Sequence, residues 1–148
     1  MTTETAMRTI DTLLAQYGDS HRNPVNEWMH IVCVPLIVFS VLGLLWSVHA
    51  AVALAGSVAA LAYYVKLSRP FALGMLAMLA LMLIALAAMQ PIVILPLSLV
   101  LFVLAWIGQF IGHQIEGRKP SFLDDVRFLL IGPLFVLGFA YRSLRLAY

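Results

Sequence analysis

Two long stretches of the chain, Ile31 to Val65 and Pro70 to Ile115, contain no Asp, Glu, Lys or Arg. A membrane span needs about 20 apolar residues, so each stretch is too long for one straight span and long enough for two. The first breaks at Ser47–Ala50. The second breaks at Gln90-Pro91, because proline disfavours helix in the residue before it. The predicted spans are therefore Ile31–Val48, Ala51–Val65, Phe71–Met89 and Ile92–Gly112. Helices buried in a soluble bundle are the alternative, but such helices need a charged outer face that these stretches lack.

The flanks follow other patterns. Met7, Ile10, Leu13, Leu14 and Tyr17 recur at helical spacing and predict an amphipathic helix lying at the membrane surface. Glu4, Arg8 and Asp11 interrupt the same stretch, so it has no uninterrupted apolar segment of the kind a cleavable signal peptide carries. At the other end, Phe128–Tyr141 is apolar but short, is interrupted by Gly132-Pro133 and follows Asp124, Asp125 and Arg127. A fifth full span there would carry Arg142 and Arg145 to the opposite side from the other basic residues. The expectation is a re-entrant or interfacial helical segment packed under the bundle. The predicted fold class is all-α integral membrane: four transmembrane helices, an N-terminal amphipathic helix and this C-terminal segment.

Composition agrees. The 148 residues are 63% hydrophobic and 11% charged, and a chain of this length reads as one membrane domain. It divides into an N-terminal cytoplasmic or interfacial stretch (1–30), a four-span bundle (31–113), and a loop with the C-terminal helical segment (114–148). Arg8 and Arg22 precede the first span, Lys66 and Arg69 lie between the second and third, and Arg118 and Lys119 follow the fourth. The turns at His49 and Gln90 carry no charge. Both termini inside places every Lys and Arg on the cytoplasmic face, and Ala/Leu-rich spans with no transit signal fit a bacterial inner membrane. The net charge of +2 is too slight, and too scattered, for a nucleic-acid partner. The single Cys33 excludes an intramolecular disulfide and reads as a small apolar filler.

On that topology His21, His30 and His113 all fall at the cytoplasmic ends of the spans, where idle polar groups are costly. Asn26 and His30 are four apart and Glu27 and His30 three apart, so they share a face if the start of the first span is already helical. Gln109, His113 and Glu116 share a face at the end of the fourth span. Imidazole suits iron, zinc and copper, and open positions beside it suit Fe(II) oxygen chemistry. The candidate metal ligands are His21, His30 and His113, with Asn26, Glu27, Gln109 and Glu116 as partners orienting them. His49, alone on the opposite face, reads as a solvent-facing turn residue. Other readings stay open on residues alone. Another metal-dependent lipid-modifying enzyme is one, although a di-iron hydroxylase needs more histidines than the four present and a carboxylate-bridged di-iron bundle more paired carboxylates. A non-catalytic subunit or small transporter is the other, although the spans offer few of the ionisable groups that transport uses.

His21-x-Asn23 through Asn26, His30 and Pro35, followed by Gln109-Phe110-Ile111-Gly112-His113 with Glu116 and Pro120, resembles the Mpo1-like family. The resemblance runs from about Tyr17 into the tail, and its most specific part is the Gln-Phe-Ile-Gly-His-x-x-Glu block. It implies a small multispanning membrane enzyme, an Fe(II)-dependent dioxygenase that uses O2 to shorten 2-hydroxy fatty acids by one carbon. His21, His30 and His113 match the family's histidines. An acyl substrate would explain why such an enzyme is embedded in a lipid bilayer.

Overall fold

The computed structural model describes residues 8–148 and contains six α-helices. They are α1 (Thr9–Gly18), α2 (Pro24–Val48), α3 (Ala50–Leu67), α4 (Arg69–Ala88), α5 (Pro91–Glu116) and α6 (Phe128–Ser143), with a short 3-10 turn at Ser121–Leu123. Helices α2 to α5 are long and apolar enough to cross a membrane, and the protein is an integral membrane protein. Met7, first in the predicted amphipathic stripe, lies outside the described residues.

Each span begins or ends where local chemistry dictates. Asn23 caps α2 by accepting the Val25 N–H at 2.9 Å, with Pro24 at the first helical position, where its missing N–H costs nothing. Helix α2 thus starts seven residues before the charge-free run at Ile31, which makes Asn26, Glu27 and His30 helical. His49 ends α2 and caps α3, its Nδ1 accepting the Ala51 N–H at 3.1 Å. Gly117, at φ 71°, closes α5 in the left-handed conformation that glycine adopts without strain.

The central contact of the bundle is α2 along α5. It is close because small residues face each other. A Cβ on Gly43 would collide with Ser98 Oγ, one on Gly108 would lie 2.7 Å from Cys33 Sγ, and one on Gly112 would lie 2.5 Å from Asn26 Oδ1. Without a hydrophobic driving force between helices in lipid, such small-residue seams let backbones approach. Helix α3 packs on α2 and α4.

Helix α6 does not cross the bundle. Near its start the Leu130 carbonyl accepts the Tyr64 hydroxyl (2.9 Å), and near its end the Tyr141 hydroxyl donates to the Pro70 carbonyl (2.8 Å). Tyr64 and Pro70 flank the α3–α4 turn, so both ends of α6 sit at one end of the bundle. At 16 residues it spans roughly 24 Å, less than a bilayer core. The apolar stripe of α1, Ile10, Leu13 and Tyr17, is buried and α1 packs on α6.

Candidate metal centre

Three elements deliver the three predicted histidines to one point. His21 comes from the turn after α1, His30 from the second turn of α2 and His113 from the last turn of α5. All three are buried, at 5%, 1% and 5% exposure. Their ring centroids lie 4.0 Å (His21–His30), 5.0 Å (His21–His113) and 4.9 Å (His30–His113) apart. One nitrogen from each falls within 4.8 Å of the others, a separation at which they could share one metal ion.

Hydrogen bonding orients two of the rings. His21 Nδ1 lies 2.6 Å from the Tyr17 carbonyl and His30 Nδ1 3.0 Å from the Asn26 carbonyl. A carbonyl only accepts, so both Nδ1 atoms carry the proton and both Nε2 atoms keep a lone pair. His21 Nε2 is buried without a hydrogen-bond partner, as is His113 Nδ1. Burial pushes the His21 imidazole down to about 4, opposed in part by the Tyr17 carbonyl, so at neutral pH it is uncharged and its lone pair is available. Buried polar atoms normally find partners. Unpartnered ring nitrogens gathered this closely fit a metal ion, and the donor set suits iron, zinc or copper.

The supporting residues divide the work. Tyr17 stacks on His21 at 4.2 Å, 10° from parallel. The Glu116 carboxylate accepts the backbone N–H groups of Arg22 (3.1 Å) and Asn23 (2.8 Å) and the Asn26 side-chain amide (3.2 Å). It therefore ties the end of α5 to the start of α2, where a negative charge is favoured by the helix dipole. Asn26 also donates to the Ser20 carbonyl at 3.0 Å, holding the turn that carries His21. Glu27 is half-buried and its side chain makes no hydrogen bond among the described residues. Gln109 is buried beside the centre; its Nε2 has no hydrogen-bond partner and it makes no hydrogen bond to His113. His49 is exposed at the far end of α2, well removed from this cluster.

A cavity of about 60 Å³ adjoins His30 and His113. Gln109 and Trp106 line it from α5, and Phe128, Leu129, Gly132 and Pro133 from α6. Trp106 Nε1, like Gln109 Nε2, is a buried donor without a partner. Trp106 is one turn before Gln109 and two turns before His113, so its place on this face was readable from spacing. The α6 wall was not, because nothing local links residues near 130 to a histidine near 30.

The family described as "2-hydroxy-palmitic acid dioxygenase Mpo1-like" matches this chain over residues 7–144. The chain is similar to the protein named 2-hydroxy-palmitic acid dioxygenase MPO1 of Saccharomyces cerevisiae, with 34% identity over 132 residues covering 84% of this chain and 75% of the yeast protein. No solved structure matches it.

Proposed function

This chain belongs to the Mpo1-like family, and on that premise we propose that it is an iron(II)-dependent dioxygenase shortening 2-hydroxy fatty acids by one carbon at the cytoplasmic face of a bacterial inner membrane. The observation that carries the reading is the buried convergence of His21, His30 and His113, with one nitrogen of each within 4.8 Å of the others and no carboxylate in the group. With one O2, a 2-hydroxy acid gives the acid one carbon shorter, carbon dioxide and water. The bond between the carboxyl carbon and its neighbour breaks, the neighbour becomes the new carboxyl, and the electrons lost by the two carbons reduce the dioxygen.

Iron held by the three histidines would supply the redox chemistry with O2 and the chelation of the hydroxy acid. The residues do the rest. Tyr17 and Asn26 carbonyls fix the rings of His21 and His30 in the tautomer that ligates. Three neutral imidazoles add no negative charge, so a ferrous ion held by them would keep its full positive charge for the substrate's carboxylate. Gln109 Nε2 and Trp106 Nε1, both unpartnered donors on the cavity wall, are placed to donate hydrogen bonds to the carboxylate and hydroxyl oxygens. The small buried cavity keeps bulk water from the reacting carbons.

Detergent-purified protein supplied with iron(II), O2 and 2-hydroxypalmitic acid should yield pentadecanoic acid, detected by mass spectrometry. Protein that holds stoichiometric iron and produces no shortened acid would overturn the reading.

A further inference from the structure

From the histidine cavity a second space runs along α2 towards the opposite end of the bundle. It is a groove of about 470 Å³ lined by residues of α2, α3, α5 and α6, with Met75 and Leu79 of α4. Ile37, Val38, Trp106, Leu129 and Pro133 line both spaces, so the groove adjoins the cavity and continues it away from the histidines. Its α3 wall is built from Gly56, Ser57, Ala60 and Tyr64. The two hydroxyls there are spent on backbone carbonyls, Ser57 on Ala53 (2.8 Å) and Tyr64 on Leu130 (2.9 Å), which leaves an apolar surface. The unpartnered Trp106 N–H is at the histidine end, where a polar head belongs.

The far end is equally defined. A Cβ on Gly56 would lie 3.3 Å from Leu45 Cδ1 and meet nothing else within 4 Å, so the Leu45 side chain packs onto Gly56 and the two close the groove at this end. From His30 to Leu45 the path along α2 is about 22 Å at the helical rise, a depth suited to a long acyl chain. Gly56 and Val41 are exposed, so the groove opens sideways to lipid between α3 and α5.

We propose that this groove holds the hydrocarbon tail of the free 2-hydroxy acid, entering sideways from the bilayer, and that Gly56 and Leu45 set the longest tail accepted. The assignment rests on reading the histidine centre as the reaction site. Its distinguishing consequence is a length ruler made of residues that touch neither metal nor carboxylate.

Two measurements test it. In turnover, Gly56→Leu should lower kcat/KM for 2-hydroxypalmitic acid about tenfold or more relative to 2-hydroxydecanoic acid, the scale expected when a hydrophobic pocket loses room for a few methylenes. Leu45→Ala should move the preference the other way, towards longer acids, which protects the test should Gly56→Leu fold poorly. Iron content should stay at the parent level in both. In binding, iron-free protein with Trp28→Phe and Trp46→Phe leaves Trp106 as the emitter, reconstituted in nanodiscs. Palmitic acid brominated in mid-chain should quench it, and 2-hydroxypalmitic acid should relieve the quenching by competition. Quenching without turnover would sink the enzymatic reading while keeping the groove. Turnover with an unchanged length profile in both variants, or quenching that the hydroxy acid does not relieve, would show that bulk lipid fills the groove and end the proposal.

Discussion

Two of the three imidazoles commit Nδ1 to a backbone carbonyl, and no fourth His, Cys, Asp or Glu joins the group among the described residues, so none stands ready to replace a lost ligand. His21→Ala, His30→Ala and His113→Ala should each abolish stoichiometric iron binding, measured by elemental analysis of purified protein, whereas His49→Ala should bind like the parent. Full iron occupancy in His113→Ala would remove the centre as described. Gln109 makes a different kind of contribution, because its free Nε2 faces the cavity and bonds to none of the histidines. A hydrogen bond to a charged group is worth about 1.5–3 kcal/mol. Gln109→Leu should therefore raise KM for the hydroxy acid roughly tenfold or more while iron content holds. Loss of iron in that variant would instead assign Gln109 to the support of His113.

Among the helices, α2 and α5 decide the site because each carries one buried histidine and the two backbones nearly touch. Gly112 is adjacent to His113 and has no room for a side chain against Asn26. Gly112→Val should push the helices apart at a cost of about 1–3 kcal/mol, typical of overpacking, and should lose iron together with thermal stability. Unchanged iron affinity would mean that the seam does not position the histidines. Glu116 clamps the same helices from their ends through three hydrogen bonds. Glu116→Gln keeps the shape but removes the charge that strengthens those bonds. Iron retention against a chelator should fall about 10–100-fold, the range for groups that orient ligands, without vanishing. An inability to bind any iron would make Glu116 itself a ligand.

For the whole molecule, the turns joining α1 to α2 and α5 to α6 carry Arg22, Arg118 and Lys119, Lys66 and Arg69 flank the α3–α4 turn, and His49 lies beyond the opposite end of α2. If that basic end is cytoplasmic, single-cysteine variants in a Cys33→Ala background should separate cleanly. An impermeant thiol reagent applied to intact cells should label His49→Cys and spare Arg118→Cys; the reverse pattern would invert the orientation. Cys33→Ala is a suitable background because Cys33 fills the seam opposite Gly108 as a small apolar group, and alanine is smaller still.

The sequence by itself determined the four long apolar helices and the short apolar helix after them, and it singled out the three histidines that the fold brings together, since each is written in local pattern: charge-free length, a proline break, residues three and four apart. Helix limits were less legible. The apolar run at Ile31 understates α2, which begins at Pro24 because Asn23 caps it, and α5 outlasts Gly112 until Gly117 turns the chain. Only tertiary structure decided that Glu116 would bond to Arg22, Asn23 and Asn26, that α6 would wall the histidine cavity, and that α3 and α5 would stand apart to leave a groove. Those outcomes depend on how closely small residues let helices approach and on contacts between residues some ninety positions apart. A hydrophobic pattern encodes which face is apolar, and carries no record of what that face will meet.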